Sequence, residues 1–105
     1  ADMYTSLTVA RDAIWRAAWH ADTAPAGEFD FKEGLRVALF ASEMAPQVCT
    51  TAMNVFGGNG YMWDHPAERH MRDAMMCYHI DGTSDVHRVK IGEMLRGVTT
   101  SGYIS

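Results

Sequence analysis

The chain is poor in several features that would assign it to a functional class at once. It has only two cysteines and three prolines among its 105 residues. Because Cys49 and Cys77 form no C-x-x-C pair, the sequence supports neither a zinc ribbon nor a redox motif. We expect both to be small buried residues in a reducing compartment. No apolar run reaches the roughly 18 residues of a membrane span, and we expect no signal peptide.

Positive charge is also scarce. Nine Lys and Arg residues stand against 13 Asp and Glu residues, which gives a formal net charge of −4. Binding of nucleic acid needs a clustered positive surface, so nucleic acid is excluded as the main partner. The five histidines include no H-x-x-x-H or E-x-x-H spacing of the kind that places metal ligands on one helix face. The sequence therefore predicts no metal site.

What the chain does contain is a strong helical pattern. Its apolar content of 48% and charged content of 21% are typical of one folded domain or a piece of a larger one. Apolar residues recur every three or four positions, which predicts helices over roughly 2–22, 30–55, 66–79 and 84–97. No strand pattern and no internal repeat is present. We therefore predict an all-α, four-helix up-down domain whose two longest helices form an antiparallel hairpin.

Residues that interrupt the helical pattern are concentrated between positions 46 and 86. Pro46 lies inside the second helix and predicts a kink in one continuous helix. Glycines and turn signals then recur within residues 54–86, more densely than a plain helical bundle requires. This density indicates a backbone shaped around a ligand. Thr83 or Ser84 is predicted to cap the last helix.

Five motifs in register point to a known family. They are R-A-A-W at 16–19, F-A-S-E at 40–43, G-G-N-G-Y at 57–61, P-A-E-R at 66–69 and I-D-G-T-S-D-V-H-R at 80–88. Their order and spacing resemble the C-terminal helical domain of the flavin-dependent acyl-CoA dehydrogenases, over nearly the whole chain. One of these motifs alone would be weak evidence for the family, but five in register over about ninety residues make the resemblance strong.

The resemblance implies two segments that contact FAD and one position that contacts acyl-CoA. The first segment meets a flavin dinucleotide that a neighbouring subunit usually holds, and its residues here are Asn54, Val55, Phe56, Gly57 and Gly58. The second corresponds to Thr83, Ser84 and Asp85, and Gly82 corresponds to the substrate contact. Asn54 stands where the family usually has the longer Gln, and His87 replaces a frequent Gln. Glycines also make tight turns between helices, so a purely structural role stays open for the first segment.

Asp81 occupies the position at which the family typically carries a catalytic Glu. In the family, this carboxylate removes the α-proton of an acyl thioester while a hydride leaves the β-carbon for the flavin. Asp retains the acid group on an arm shorter by about 1.5 Å, the length of one C–C bond. Three interpretations stay open: Asp81 is the base, the base lies on a helix outside this chain, or the subunit is catalytically weak and Asp81 simply forms a turn before Gly82.

Taken as a whole, residues 1–105 are expected to be the C-terminal helical domain of an acyl-CoA dehydrogenase, without the family's N-terminal helical and middle β domains. The resemblance implies FAD as cofactor, acyl-CoA as substrate, an electron-transfer protein as acceptor and 2-enoyl-CoA as product. It also implies a homo-oligomer (dimer or tetramer) or a pairing with a second subunit, in a mitochondrial matrix or a bacterial cytoplasm. The alternative is a helical assembly module or silent subunit without chemistry.

Overall fold

The computed structural model describes residues 1–97, which contain five helices and no strand. The helices are α1 (Asp2–Thr23), α2 (Phe31–Phe56), α3 (Gly58–Tyr61), α4 (Ala67–Met76) and α5 (Ser84–Leu95). The all-α prediction is confirmed, and the bounds of α1, α2 and α5 agree closely with those expected. The sequence does not predict the one-turn α3, so the prediction of four helices is corrected to five within residues 1–97.

The helix α2 is the centre of the domain, since α1, α3, α4 and α5 all pack against it. The first turns of α1 face the second half of α2, where Met3 and Ser6 share a shallow cavity with Met44 and Thr51. At the other end, His20 Nδ1 of α1 lies 2.6 Å from Glu33 Oε2 of α2. Helices α1 and α2 therefore form the predicted antiparallel hairpin.

The N-terminal end of α2 is stabilised by local contacts. The carboxylate of Asp30 accepts a hydrogen bond of 2.9 Å from the backbone N–H of Lys32, as an N-cap residue does. The side chain of Glu33 is largely buried and also lies 3.5 Å from Arg16 Nε. Beyond this end the helix runs without interruption through Pro46 to Phe56, so the prediction of one continuous helix is confirmed.

The described residues bury few large side chains. The buried apolar residues are four alanines, Ala10, Ala17, Ala67 and Ala74. Large side chains such as Trp15, Trp19 and Trp63 are exposed, Trp63 to 90%. Small residues let helices approach closely, but the removal of large apolar surface from water supplies most of the stability of a domain. The helices thus leave much of their apolar surface unpaired.

The break between α2 and α3 depends on glycine for two separate reasons. Gly57 ends α2 with φ 62° and ψ −140°, a backbone conformation that side-chain-bearing residues rarely adopt. Gly60 is buried against α2, where an added Cβ would lie 2.6 Å from the carbonyl oxygen of Met53 and 3.1 Å from Phe56 Cβ. The turn therefore brings α3 directly onto the last turns of α2.

This close approach makes Gly60 the most sensitive glycine of the turn. We expect Gly60→Ala to lower the free energy of unfolding by about 1–3 kcal/mol, because the backbone of Met53 has to move. Gly58→Ala is the matched control, since no atom lies within 4 Å of its added Cβ. Urea denaturation of the two variants measures the difference. An equal stability of both variants would contradict the packing described for α3.

Candidate functional site

The segment between α4 and α5 forms a tight turn that presents Asp81. The sequence predicts that the third helix runs to about residue 79, but α4 ends at Met76. Beyond it, the N–H of His79 donates to the carbonyl of Met76, a three-residue step that tightens the chain out of the α-helix. Asp81 and Gly82 follow with φ 55° and φ 102°. The predicted Asp-Gly turn is therefore present, and it begins earlier than expected.

The turn is followed at once by the start of α5. The Thr83 side chain accepts a hydrogen bond of 3.4 Å from the backbone N–H of Val86, so the predicted cap is Thr83. Ser84 begins the helix and is buried, and its Oγ has no hydrogen-bond partner among residues 1–97. The free N–H groups of a helix start attract acceptor and anionic groups. The Ser84 hydroxyl is thus buried and has no partner in the described residues, beside the free N–H groups at this end of α5.

An apolar groove with a volume of about 610 Å³ runs beside this turn, and we call it the Asp81 groove. One wall is made by α2, with Ala38, Ala41 and Ala45, and the other by Cys77, Ile80, Asp81 and His87. Asp81 is exposed and is the only acidic residue that lines the groove within residues 1–97. The groove therefore combines an apolar lining with one carboxylate, which are the two features that general-base chemistry on an apolar substrate requires.

His87 is a functional candidate that sequence reasoning treated only as a departure from the family pattern. Its side chain is 6% exposed, and its Nε2 lies 3.2 Å from the carbonyl oxygen of Asp81. Its Nδ1 has no hydrogen-bond partner within the described residues. No local signal marks this contact, because it joins residues six positions apart across a turn.

An ion-pair cluster fixes α5 against α2. The guanidinium of Arg88 contacts Glu43 of α2, and its Nη1 lies 3.2 Å from Asp85 Oδ1. The hydrogen bond to Glu43 is the main cause that raises the pKa of Arg88 above its ordinary value. Asp85 is exposed and paired with Arg88, so a cofactor contact from its carboxylate would have to compete with that pair.

The glycine segment lies at the opposite end of α2. Asn54, Val55 and Phe56 form the exposed last turn of this helix, and Gly57 caps it. Gly58 differs from Gly57 and Gly60 because neither its backbone angle nor any neighbouring atom requires glycine. The purely structural explanation therefore accounts for Gly57 and Gly60 and leaves Gly58 unexplained. Open space at Gly58 suits close approach of a ligand to the backbone.

The structure does not bring the two predicted flavin segments together. Neither α3 nor α4 packs against α5. Asp81 lines a groove whose α2 residues end at Ala45, and the nine residue steps from Ala45 to Asn54 correspond to about 14 Å of helix at the usual rise. Within the described residues, the two segments therefore lie on different parts of the domain.

Two features of these segments are compatible with a flavin. The backbone at Gly58 is open to close approach, and the free N–H groups at the start of α5 would suit a phosphate. Residues 1–97 contain no group of three or more His, Cys, Asp or Glu side chains that could hold a metal ion. In the same range, no helix has the length and apolarity needed to cross a membrane.

The two cysteines differ from the expectation of full burial. Cys49 and Cys77 are free thiols, and both are only half-buried. Cys77 is partly exposed because it lies on the wall of the Asp81 groove. Partial burial raises the pKa of the Cys49 thiol, and the charge of Cys77 adds to this effect.

Comparison with known proteins covers almost the whole chain. The sequence profile of the family described as "Acyl-CoA dehydrogenase, C-terminal domain" matches residues 1–95. The mitochondrial isovaleryl-CoA dehydrogenase of Oryza sativa subsp. japonica is 41% identical over 95 residues, covering 90% of this chain and 22% of that protein. The cyclohexane-1-carbonyl-CoA dehydrogenase of Geobacter metallireducens is 41% identical over 91 residues, covering 87% of this chain and 23% of that protein.

The structure agrees with these sequence matches. A chain in the solved structure of the electron transferring flavoprotein of Acidaminococcus fermentans superposes with a TM-score of 0.79 and 35% identity, over 90% of this chain and 24% of that chain. This chain therefore spans less than a quarter of the length of these relatives. The match to residues 1–95, with the same all-helical fold, shows that the chain belongs to the acyl-CoA dehydrogenase family and corresponds to its C-terminal domain.

Proposed function

We propose that residues 1–105 form the C-terminal part of an FAD-dependent enzyme that converts an acyl-CoA thioester into 2-enoyl-CoA. The observation that carries this proposal is the position of Asp81, a carboxylate on a left-handed turn at the wall of an apolar groove. The family of the chain and the acyl-CoA dehydrogenase names of its relatives support the same reaction class. The acyl group and its branching are left open.

In this proposal Asp81 acts as the general base. Its carboxylate takes the α-proton of the thioester, so the α C–H bond breaks and its electron pair begins the new double bond to the β-carbon. Bound FAD would supply the acceptor for the hydride that leaves the β-carbon. Gly82, with φ 102°, leaves the backbone beside Asp81 open for the thioester to approach.

Two groups of residues would hold the cofactor. Thr83, Ser84 and Asp85 at the start of α5 would contact it through the Ser84 hydroxyl and the free N–H groups of the helix start. The second group, at the end of α2, consists of Asn54, Val55, Phe56, Gly57 and Gly58. The first group adjoins a groove whose α2 residues end at Ala45, well before Asn54. We therefore propose that the second group serves the flavin of a neighbouring subunit, which requires a homo-oligomer or a second subunit.

The electron acceptor is proposed to be an electron-transfer protein, in line with the electron transferring flavoprotein that contains the structurally similar chain. Relatives from mitochondria and from Bacillus subtilis lead us to propose a mitochondrial matrix or a bacterial cytoplasm as the location.

The proposed function is tested by anaerobic titration of the purified enzyme that contains this chain. We expect that an acyl-CoA bleaches the oxidised flavin band and yields one 2-enoyl-CoA per flavin reduced. A panel of straight-chain, branched and alicyclic thioesters defines the substrate. Failure of every thioester to reduce the bound flavin would contradict the proposal.

One observation favours the alternative of an assembly module. Large apolar side chains of α1 and the turn after α3 are exposed, and the buried apolar residues are all alanine. Such a surface is suited to packing against other helices or subunits. The same titration separates the two functions, because an assembly module would show no flavin reduction while still forming the complex.

A further inference from the structure

The backbone at Asp81 is held in an unusual conformation. Asp81 is the only non-glycine residue with positive φ among residues 1–97. For a residue with a side chain, the left-handed region costs roughly 1–2 kcal/mol, and Asp and Asn tolerate it best. Asp81 is also exposed, so the packing of its own side chain does not fix the turn. Another group has to hold its backbone in place.

His87 provides such a contact from within α5. His87 is only 6% exposed, and its Nε2 lies 3.2 Å from the carbonyl oxygen of Asp81. A carbonyl oxygen only accepts hydrogen bonds, so the proton of a neutral ring lies on Nε2. The backbone of His87 is held as well, because its N–H donates to the carbonyl oxygen of Thr83 at the start of α5, 3.1 Å away.

This contact has a direct bearing on the direction of the carboxylate. The peptide plane that carries the Asp81 carbonyl begins at the Asp81 Cα, so fixing the carbonyl also restricts the orientation of the side chain. His87 and Asp81 line the same groove. The side chain of Asp is short, so a shift of the Asp81 backbone displaces its carboxylate by almost the same distance.

We propose that His87 is a positioning residue for the general base, holding the left-handed turn at Asp81 through its Nε2–H. This inference rests on the proposed role of Asp81. His87 contacts the backbone of Asp81 and is assigned no part in the proton transfer itself. Its contribution is to keep the carboxylate within reach of the α-carbon, where a displacement of about 1 Å costs on the order of a hundredfold in rate.

The test compares variants of His87 in the complete enzyme that contains this chain. His87→Gln keeps a nitrogen donor at the same number of bonds from Cα, whereas His87→Leu removes the donor, and His87→Asn shortens the arm by one bond. We expect kcat to fall about tenfold to a hundredfold in His87→Leu and His87→Asn, with KM changed less than about threefold. His87→Gln should remain within about threefold of the unchanged enzyme.

Two further measurements separate positioning from a loss of stability. Hydrogen exchange of the backbone amides at residues 81–84 should become faster in His87→Leu and His87→Asn and stay unchanged in His87→Gln. The kinetic isotope effect of an α-deuterated thioester should rise in the same two variants, since proton removal becomes slower. If His87→Leu does not fold, His87→Asn decides the result.

The controls distinguish this inference from the proposed function. If Asp81→Asn is inactive but all three His87 variants match the unchanged enzyme, the positioning role is wrong and the role of Asp81 stands. If His87→Gln is as slow as His87→Leu, the donor is not what matters and the positioning role is also wrong. If Asp81→Asn retains full activity, Asp81 is not the base, and this inference fails together with that assignment.

Discussion

Replacing Asp81 by Asn is expected to lower the rate of acyl-CoA oxidation by at least about a hundredfold, the smallest contribution usual for a general base. Asn has nearly the same shape as Asp and tolerates the left-handed backbone that the structure shows at this position, with φ 55°. The turn should therefore persist while the proton acceptor is removed. Steady-state oxidation with an artificial electron acceptor measures the effect.

Asn is a sharper replacement than Ala at this position, because Ala would add backbone strain to the loss of the carboxylate. Asp12→Asn on the exposed surface of α1 is the matched control, since it makes the same change of charge. We expect it to leave the rate unchanged. Equal rates for Asp81→Asn and Asp12→Asn would show that the base lies elsewhere or that this subunit is silent.

The second large effect concerns the chain expressed alone. We expect the 105-residue chain to retain no FAD and to oxidise no acyl-CoA. It carries two groups of proposed flavin contacts, but the groove beside the start of α5 reaches α2 only as far as Ala45, about 14 Å of helix before Asn54. Asp81 is also exposed. An open site also leaves charged groups in contact with water, which weakens every electrostatic interaction on which binding depends.

The measurement is the flavin absorbance of the chain after gel filtration in excess FAD, with circular dichroism to confirm its helices. The complete enzyme, treated in the same way, is the control and should elute with bound flavin. A chain that elutes with stoichiometric FAD and oxidises a thioester would contradict this expectation. It would also show that one copy of the domain builds the whole site.

Much of this structure could be predicted from the sequence because its signals are local. The three-to-four-residue period predicts the long helices α1 and α2, Asp81-Gly82 predicts a turn, and the hydroxyl of Thr83 predicts a cap. Each of these depends on residues within a few positions of one another. Pro46 was likewise placed correctly inside a continuous helix, because the pattern continues on both of its sides.

What could not be predicted depends on contacts across the fold. The helix α3 contains two glycines among its four residues and has no periodic pattern, and Gly60 is needed there only because Met53 lies behind it. The end of α4 was misplaced because apolar residues continue past Met76, although the chain has already tightened. The contact between His87 and the Asp81 carbonyl exists only once α5 has folded back beside the turn.

The central claim is that Asp81 removes the α-proton, and exchange of that proton with solvent tests it most directly. A 3-thia-acyl-CoA carries α-protons but has no hydrogen on the β-atom to transfer, so proton removal is observed without oxidation. The account predicts that the complete enzyme in deuterated water exchanges the α-protons, and that Asp81→Asn with full FAD content exchanges them at least about a hundredfold more slowly. Equal exchange rates in both proteins would contradict it.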